Sequence, residues 1–151
     1  GLHQGGEGSF LDMHVDFNYH PEEPTWFRDL NILLYLNPNW KEEYGGELKL
    51  AHKDKPKELF EIQPVFNRAV IMQTRDYTFH GYDPISFPDG EFRRSIATYA
   101  YQIHENQSED ARTTVWYPKN SGAIKRLLGL MAPTLVKIKS TVLPSGTSKN
   151  K

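Results

Sequence analysis

Segments of strand length recur along this chain at roughly ten-residue intervals, each closed by turn-forming residues, and few folds accept that rhythm. The candidates are residues 9–16, 30–36, 47–51, 59–62, 69–72, 77–82 and 92–103. Gly5, Gly6 and Gly8 lead into the first, and Pro21 and Pro24 interrupt the loop after it. The run from Leu30 to Leu36 is almost wholly apolar and ends at Asn37, Pro38 and Asn39. Gly45 and Gly46, Pro64, and the group Pro84, Pro88, Asp89 and Gly90 break the chain again, each with the backbone preferences of a turn. The segment 92–103 is long and rich in β-branched and aromatic residues. About seven strands at this spacing predict a sandwich or barrel. Residues 113–117 are a further strand candidate. Beyond them, Ser121 is a plausible N-cap for a helix over 122–131, with Ile124, Leu127, Leu128 and Met131 on one face. We therefore expect one β domain over residues 1–117, a helical extension over 118–143 that packs on it, and a frayed tail over 144–151.

Composition narrows the function. The 151 residues suit a single domain. A net charge of −1 supplies no general basic field, which argues against a nucleic-acid-binding module. There is no cysteine, so disulfides, thiolate metal sites and cysteine nucleophiles are excluded. Any metal must be held by histidine and carboxylate, which suits Fe(II), Mn(II) or Zn(II). No apolar run approaches the roughly 20 residues that span a bilayer. No signal peptide is visible. We expect a cytoplasmic protein with no membrane partner. The chain begins with Gly1 and not Met, and an N-terminal segment is expected to be missing.

His14-Val15-Asp16 carries the first chemical signal. Side chains two apart in a strand share a face, so His14 and Asp16 can reach one metal. The third ligand must come from a distant strand, and His80 is the best candidate. Two histidines and one carboxylate on one face of an octahedral ion leave three positions open, the pattern of non-heme Fe(II). A 2-oxoacid can take two of those positions and O2 the third. The far carboxylate of 2-oxoglutarate then needs a fixed cation. Arg93 suits it, because a planar guanidinium matches a carboxylate with two hydrogen bonds. Strand alternation places Arg93, Ser95, Ala97 and Tyr99 on one face and Arg94, Ile96, Thr98 and Ala100 on the other. Ser95 can then donate a second hydrogen bond to the same carboxylate.

With these residues in place, the sequence resembles the prolyl 4-hydroxylase type of 2-oxoglutarate/Fe(II) oxygenases, including the group related to hypoxia-factor prolyl hydroxylases. The resemblance runs from Gly5 to Ile103. It rests on Gly8-Ser9-Phe10-Leu11 before His14-Val15-Asp16, then Arg28, Leu34-Tyr35-Leu36-Asn37 and Trp40, then Gly45-Gly46-Glu47-Leu48. Gln63-Pro64, Asn67-Arg68, His80 and Arg93 to Tyr99 complete it. It implies a double-stranded β-helix, the cupin-like jelly roll. It implies that His14, Asp16 and His80 bind iron and Arg93 the C5 carboxylate, with Tyr35 donating to that carboxylate and Leu33 and Leu48 packing the cosubstrate. It implies conversion of 2-oxoglutarate and O2 to succinate and CO2 with hydroxylation of a C–H bond, and ascorbate as a supporting reductant. The expected substrate is a peptidyl proline or a proline-like small molecule. Related halogenases carry a small residue where Asp16 stands, so hydroxylation is expected.

The sequence departs from that family in two places. Only residues 1–13 precede His14, and His3 or Gln4 stands near the position of a tyrosine common on the preceding strand. The loop from Gly81 to Phe92 is also longer than in the hypoxia-factor branch. His3, His20, His52 and His104 read as local polar residues, Gly45 and Gly46 as a turn alone, and 53–57 as a solvated loop. Residues 20–28 read equally as a lid or as a packed surface loop. Two other readings stay open, a non-catalytic jelly-roll binding module and a cupin-type metalloenzyme that does not use 2-oxoglutarate.

Overall fold

A computed structural model describes residues 1–105 and 111–117. Among these residues lie nine strands and one short 3-10 turn, Glu42–Tyr44. The strands are β1 (Leu2–Gly5), β2 (Leu11–Val15), β3 (Trp26–Tyr35), β4 (Leu48–His52), β5 (Lys55–Ile62), β6 (Ala69–Gln73), β7 (Thr78–Tyr82), β8 (Arg93–Ile103) and β9 (Val115–Tyr117). They form two antiparallel sheets, ordered β1-β8-β3-β6 and β5-β4-β7-β2-β9. This is the sandwich that the spacing of the strands predicts, in the jelly-roll form that the resemblance implies. The expected helix over 122–131 and the boundaries at 118–143 and 144–151 lie outside the described residues.

Period-two alternation decides which side chains face inward. Along β8, Arg93, Ser95 and Ala97 are buried while Ile96 and Thr98 are exposed. Along β3, Asn31, Leu33 and Tyr35 are buried while Ile32 and Leu34 lie partly open on the outer face. A one-residue slip of either strand would turn all of these around, so the register is firmly specified. Leu33, Tyr35, Val70, Met72 and Ala97 from one sheet meet Leu48 from the other in the main core. Val15, Ala51 and Phe79 form a second cluster, joined by Met13. Met13 and Val15 alternate along β2 with His14, so this cluster lies on the opposite face of that strand from His14.

Two expectations are corrected here, and one strand is added. Residues 20–28, expected to be a lid or a packed surface loop, are not a loop throughout, because Trp26, Phe27 and Arg28 open β3 and Tyr19 bridges Phe27. Tryptophan and phenylalanine next to an apolar run favour extended backbone, so the signal was present. Lys55, Pro56 and Lys57 begin β5, whose exposed edge position permits a proline and lysines within a strand. Finally, a strand does precede His14. β1 pairs with β8, placing His3 opposite Ser95 and Gln4 opposite Arg94.

Candidate metal centre

β2 and β7 run antiparallel, and His14 stands directly opposite His80 in the ladder. Their rings are 4.2 Å apart between centroids. Asp16 follows the last residue of β2 and turns its carboxylate between them. Its Oδ1 lies 3.4 Å from His14 Nε2, and its Oδ2 lies 3.8 Å from His80 Nε2. One ligand atom from each of the three residues falls within 4.8 Å of the others. His14 Nδ1 donates to the Asp12 carbonyl oxygen at 3.0 Å. A carbonyl can only accept, so Nδ1 carries a proton in this bond, and Nε2 is the ring atom turned toward Asp16. Trp116 of β9 stacks on the other side of the His14 ring, with centroids 4.6 Å apart.

The protonation states suit a cation. Burial and the neighbouring His14 push His80 down to about 4, against the pull of Asp16. Its ring is therefore neutral at neutral pH, as metal ligation requires. Burial acts to raise the Asp16 carboxyl, but the hydrogen bond from His14 and the charges of His80, His14 and Arg28 outweigh it and hold the group below its usual range. Two imidazoles and an ionised carboxylate gathered on one side of a cavity make a donor set that fits a non-heme Fe(II) ion.

The cavity beside this group holds about 300 Å³. Its far wall carries Arg93, which is 6% exposed, with Tyr35 and Ser95 at 0% and 2%. The Arg93 Nε donates to the Gly46 carbonyl oxygen at 2.8 Å, and Nη2 donates to the Tyr35 hydroxyl at 3.4 Å. Its guanidinium carbon lies 4.0 Å from the centre of the Tyr82 ring. Burial lifts the Tyr35 phenol above its usual value, opposed by Arg93, so the hydroxyl stays protonated and able to donate. Among the described residues, no acidic side chain pairs with Arg93. A buried guanidinium facing a cavity without a carboxylate is a costly arrangement unless an anion enters. Leu33 and Leu48 line the same cavity and also belong to the main core, so wall and packing are one role.

All the residues expected at the site thus converge on one cavity. Gly46 is more than a turn, since its carbonyl holds Arg93. His3 was expected to be a local polar residue but lines the cavity, as do Gln4 and Gly5. The other three histidines do not line this cavity. His20 and His52 accept backbone N–H groups of nearby residues, and His104 meets the Tyr19 hydroxyl at 3.1 Å. Sequence reasoning assigned no role to Asn31, Tyr99 or Trp116, and it used Arg28 only as part of the resemblance. Tyr99 was placed on the correct face by strand alternation. No spacing rule points to the others.

Residues 1–118 match the family model described as "2OG-Fe(II) oxygenase superfamily". Among solved structures, the chain is similar to a prolyl hydroxylase from Trichoplax adhaerens in complex with a hypoxia inducible factor oxygen degradation domain peptide fragment. The identity is 25% and the TM-score 0.52, covering 66% of this chain and 41% of that one. It is also similar to a prolyl-4-hydroxylase of Pseudomonas putida, at 22% identity and TM-score 0.53, over 67% of this chain and 50% of that one. A prolyl 4-hydroxylase structure from Phytophthora capsici matches at 20% identity and TM-score 0.53, over 95% of this chain and 45% of that one. The chain therefore spans half or less of the length of these solved relatives. No curated protein matches it.

Proposed function

Because the chain belongs to the 2OG-Fe(II) oxygenase superfamily, we propose that it hydroxylates a C–H bond while 2-oxoglutarate and O2 go to succinate and CO2. One oxygen atom enters the product and the other enters succinate, so the overall reaction balances. His14, Asp16 and His80 would hold Fe(II). The ion, when bound, supplies the activation of O2 that is coupled to decarboxylation. The protein supplies position, charge and shelter. Arg93 receives the C5 carboxylate in its planar fork, the Tyr35 hydroxyl donates to the same group, and Ser95 stands beside Arg93 as a further donor. Leu33 and Leu48 flank the methylene carbons and keep water from them. Ascorbate would act as a supporting reductant.

The observation that carries this reading is Arg93, buried, unpaired by any described acid, and facing the same cavity as the His14, Asp16 and His80 ligand atoms. A cupin-type enzyme that does not use a diacid has no need of that cation. For the substrate we propose a prolyl residue in a peptide or a proline-like small molecule. The relatives named prolyl hydroxylases support this, one of them holding a peptide.

The test is succinate formation from 2-oxoglutarate with and without Fe(II), in the wild type and in His80→Ala. We expect turnover only in the wild type with iron. Turnover that persists in His80→Ala would refute the ligand assignment. A folded wild type that binds iron but consumes no O2 with any substrate would favour a non-catalytic jelly-roll module. A search for +16 products across proline-containing peptides and free amino acids then identifies the acceptor.

A further inference from the structure

β3 is interrupted by a bulge between Arg28 and Leu30 in its pairing with β8. Residues 28 and 31 would lie on opposite faces of a regular strand. The extra residue brings both to the inner face, where both are buried. There they meet the same atom. The Asn31 Nδ2 donates to Asp16 Oδ2 at 3.2 Å, and the Arg28 Nη1 lies 3.5 Å from that oxygen. The other oxygen, Oδ1, faces His14 Nε2. The two oxygens of this carboxylate therefore have different neighbours: Oδ2, which also lies 3.8 Å from His80 Nε2, takes a hydrogen bond from Asn31 and the charge of Arg28, and Oδ1 takes neither.

Arg28 is held firmly in this position. Its guanidinium carbon lies 3.6 Å from the centre of the Phe17 ring and 3.7 Å from that of Tyr99, one ring on each contact. Nη2 donates to the Tyr101 hydroxyl at 3.4 Å. Arg28 is 3% exposed, yet its Nε has no hydrogen-bond partner, and neither does Asn31 Oδ1. Packing alone does not explain two incompletely satisfied polar side chains at the centre of a sheet, since apolar residues would fill the space without that cost.

We propose that Asn31 and Arg28 are positioning residues that occupy Asp16 Oδ2 and so make Asp16 a one-oxygen ligand through Oδ1. A carboxylate using both oxygens would take a further coordination position and would draw Oδ2 away from the Asn31 donor and the Arg28 charge. With Oδ2 restrained, the three positions needed by the 2-oxoacid and O2 stay open. The inference rests on the metal site proposed above, and it goes further in assigning the coordination mode to two residues outside the triad.

Co(II) binding to the intact chain tests it, followed by visible absorption and by quenching of tryptophan fluorescence, in which Trp116 stacked on His14 is the reporter. The variants are Asn31→Leu and the charge-conserving Arg28→Lys, each melted without metal as a check on folding. Asn31→Leu is expected to weaken Co(II) binding about 10- to 100-fold, the usual effect of losing a partner to a metal ligand, and to change the shape of the visible bands. Arg28→Lys keeps the charge but loses the planar fork and the ring contacts, and is expected to change the bands in the same direction. Removing the charge as well, in Arg28→Met, separates two roles. Simple relief of repulsion would tighten Co(II), whereas lost positioning weakens it. Wild-type affinity and wild-type bands in Asn31→Leu would overturn the inference. If Asn31→Leu melts early, unchanged bands in Arg28→Lys overturn it instead. A wild type that binds no Co(II) removes the metal site itself, and the inference with it.

Discussion

Gly81 lies so close beneath Leu11 that a Cβ built on it would stand 2.5 Å from the Leu11 carbonyl oxygen and 3.0 Å from the Asp12 carbonyl carbon and the Met13 nitrogen. All three atoms are backbone, so none can swing aside. The contact occurs where β2 and β7 slip register between Leu11 and His14, and that slip sets His14 opposite His80. The glycine is therefore what lets the two imidazoles approach. We expect Gly81→Ala to push β7 away from β2, to destabilise the fold by about 1–3 kcal/mol as overpacked interiors do, and to weaken Co(II) binding at least tenfold. Thermal melts with and without Co(II) check it. An alanine variant with wild-type metal affinity would mean that the close approach does not set the site.

Beside Arg93, Gly46 has φ 82°. A Cβ there would meet the Ile85 Cγ2 at 2.9 Å and the Arg93 Cδ and Nε at 3.0 and 3.1 Å. The position is doubly closed to other residues, by the positive φ, which costs about 1–3 kcal/mol without glycine, and by the guanidinium stem. Gly46→Ala should displace Arg93 and weaken 2-oxoglutarate binding by tenfold or more, while Co(II) affinity in the absence of 2-oxoglutarate stays within a factor of about two or three. Titrating each ligand separately gives the answer. Equal loss of both would show a general collapse of the cavity.

The strand rhythm, the triad and the face of β8 were legible because each follows from a period of two or from a short motif. His14 and Asp16 are two apart, and Arg93 and Ser95 are two apart. What the sequence concealed are the places where that period fails. The bulge in β3 puts Arg28 and Asn31 together at a separation of three, and no count of alternate positions finds them. β1 has four residues, too few for alternation to show, and its place beside β8 depends on a partner far along the chain. Gly46 read as a turn since its second role depends on Arg93, a distant residue. The approach of Trp116 to His14 is likewise set by the pairing of β9 with β2 and by nothing local.

Asp29 is the bulge residue itself, and its carboxylate accepts hydrogen bonds from Arg75 Nη2 and, at 2.8 Å, from Gln102 Nε2. The hydrogen bond from Arg75 is the chief reason its carboxyl lies below the usual range. A carboxyl whose folded value is depressed binds its proton less tightly in the native state. Its contribution is therefore complete above the unfolded value near 4 and disappears as the pH falls through the lower folded value. The pair is partly exposed, so about 1 kcal/mol or less is at stake. Asp29→Asn should lower stability at pH 7 by that amount and leave a smaller difference from wild type at acid pH. Urea melts across pH 3–7 check it. A constant difference at all pH values would exclude the ion pair as the source.

Arg93 and Lys carry the same charge but offer different geometry, and this site uses geometry. The guanidinium donates to the Gly46 carbonyl and the Tyr35 hydroxyl and lies over the Tyr82 ring, which together fix the plane of the fork toward the cavity. A lysine ammonium in the same place is a compact charge with no plane to align, and it cannot reach Gly46 and a ligand carboxylate with paired donors. Arg93→Lys should keep Co(II) binding and weaken 2-oxoglutarate by at least tenfold, equivalent to about 1.4 kcal/mol. Arg93→Ala should abolish it at millimolar concentration. Isothermal titration of 2-oxoglutarate into the Co(II)-loaded variants measures both. Glutarate, which keeps the spacing of the two carboxylates but lacks the keto oxygen, should lose affinity on Arg93→Lys by the same factor, because the contact with Arg93 is common to both. If activity and 2-oxoglutarate affinity survive Arg93→Ala, the buried cation serves another anion, and the cosubstrate assignment falls while the metal site stands.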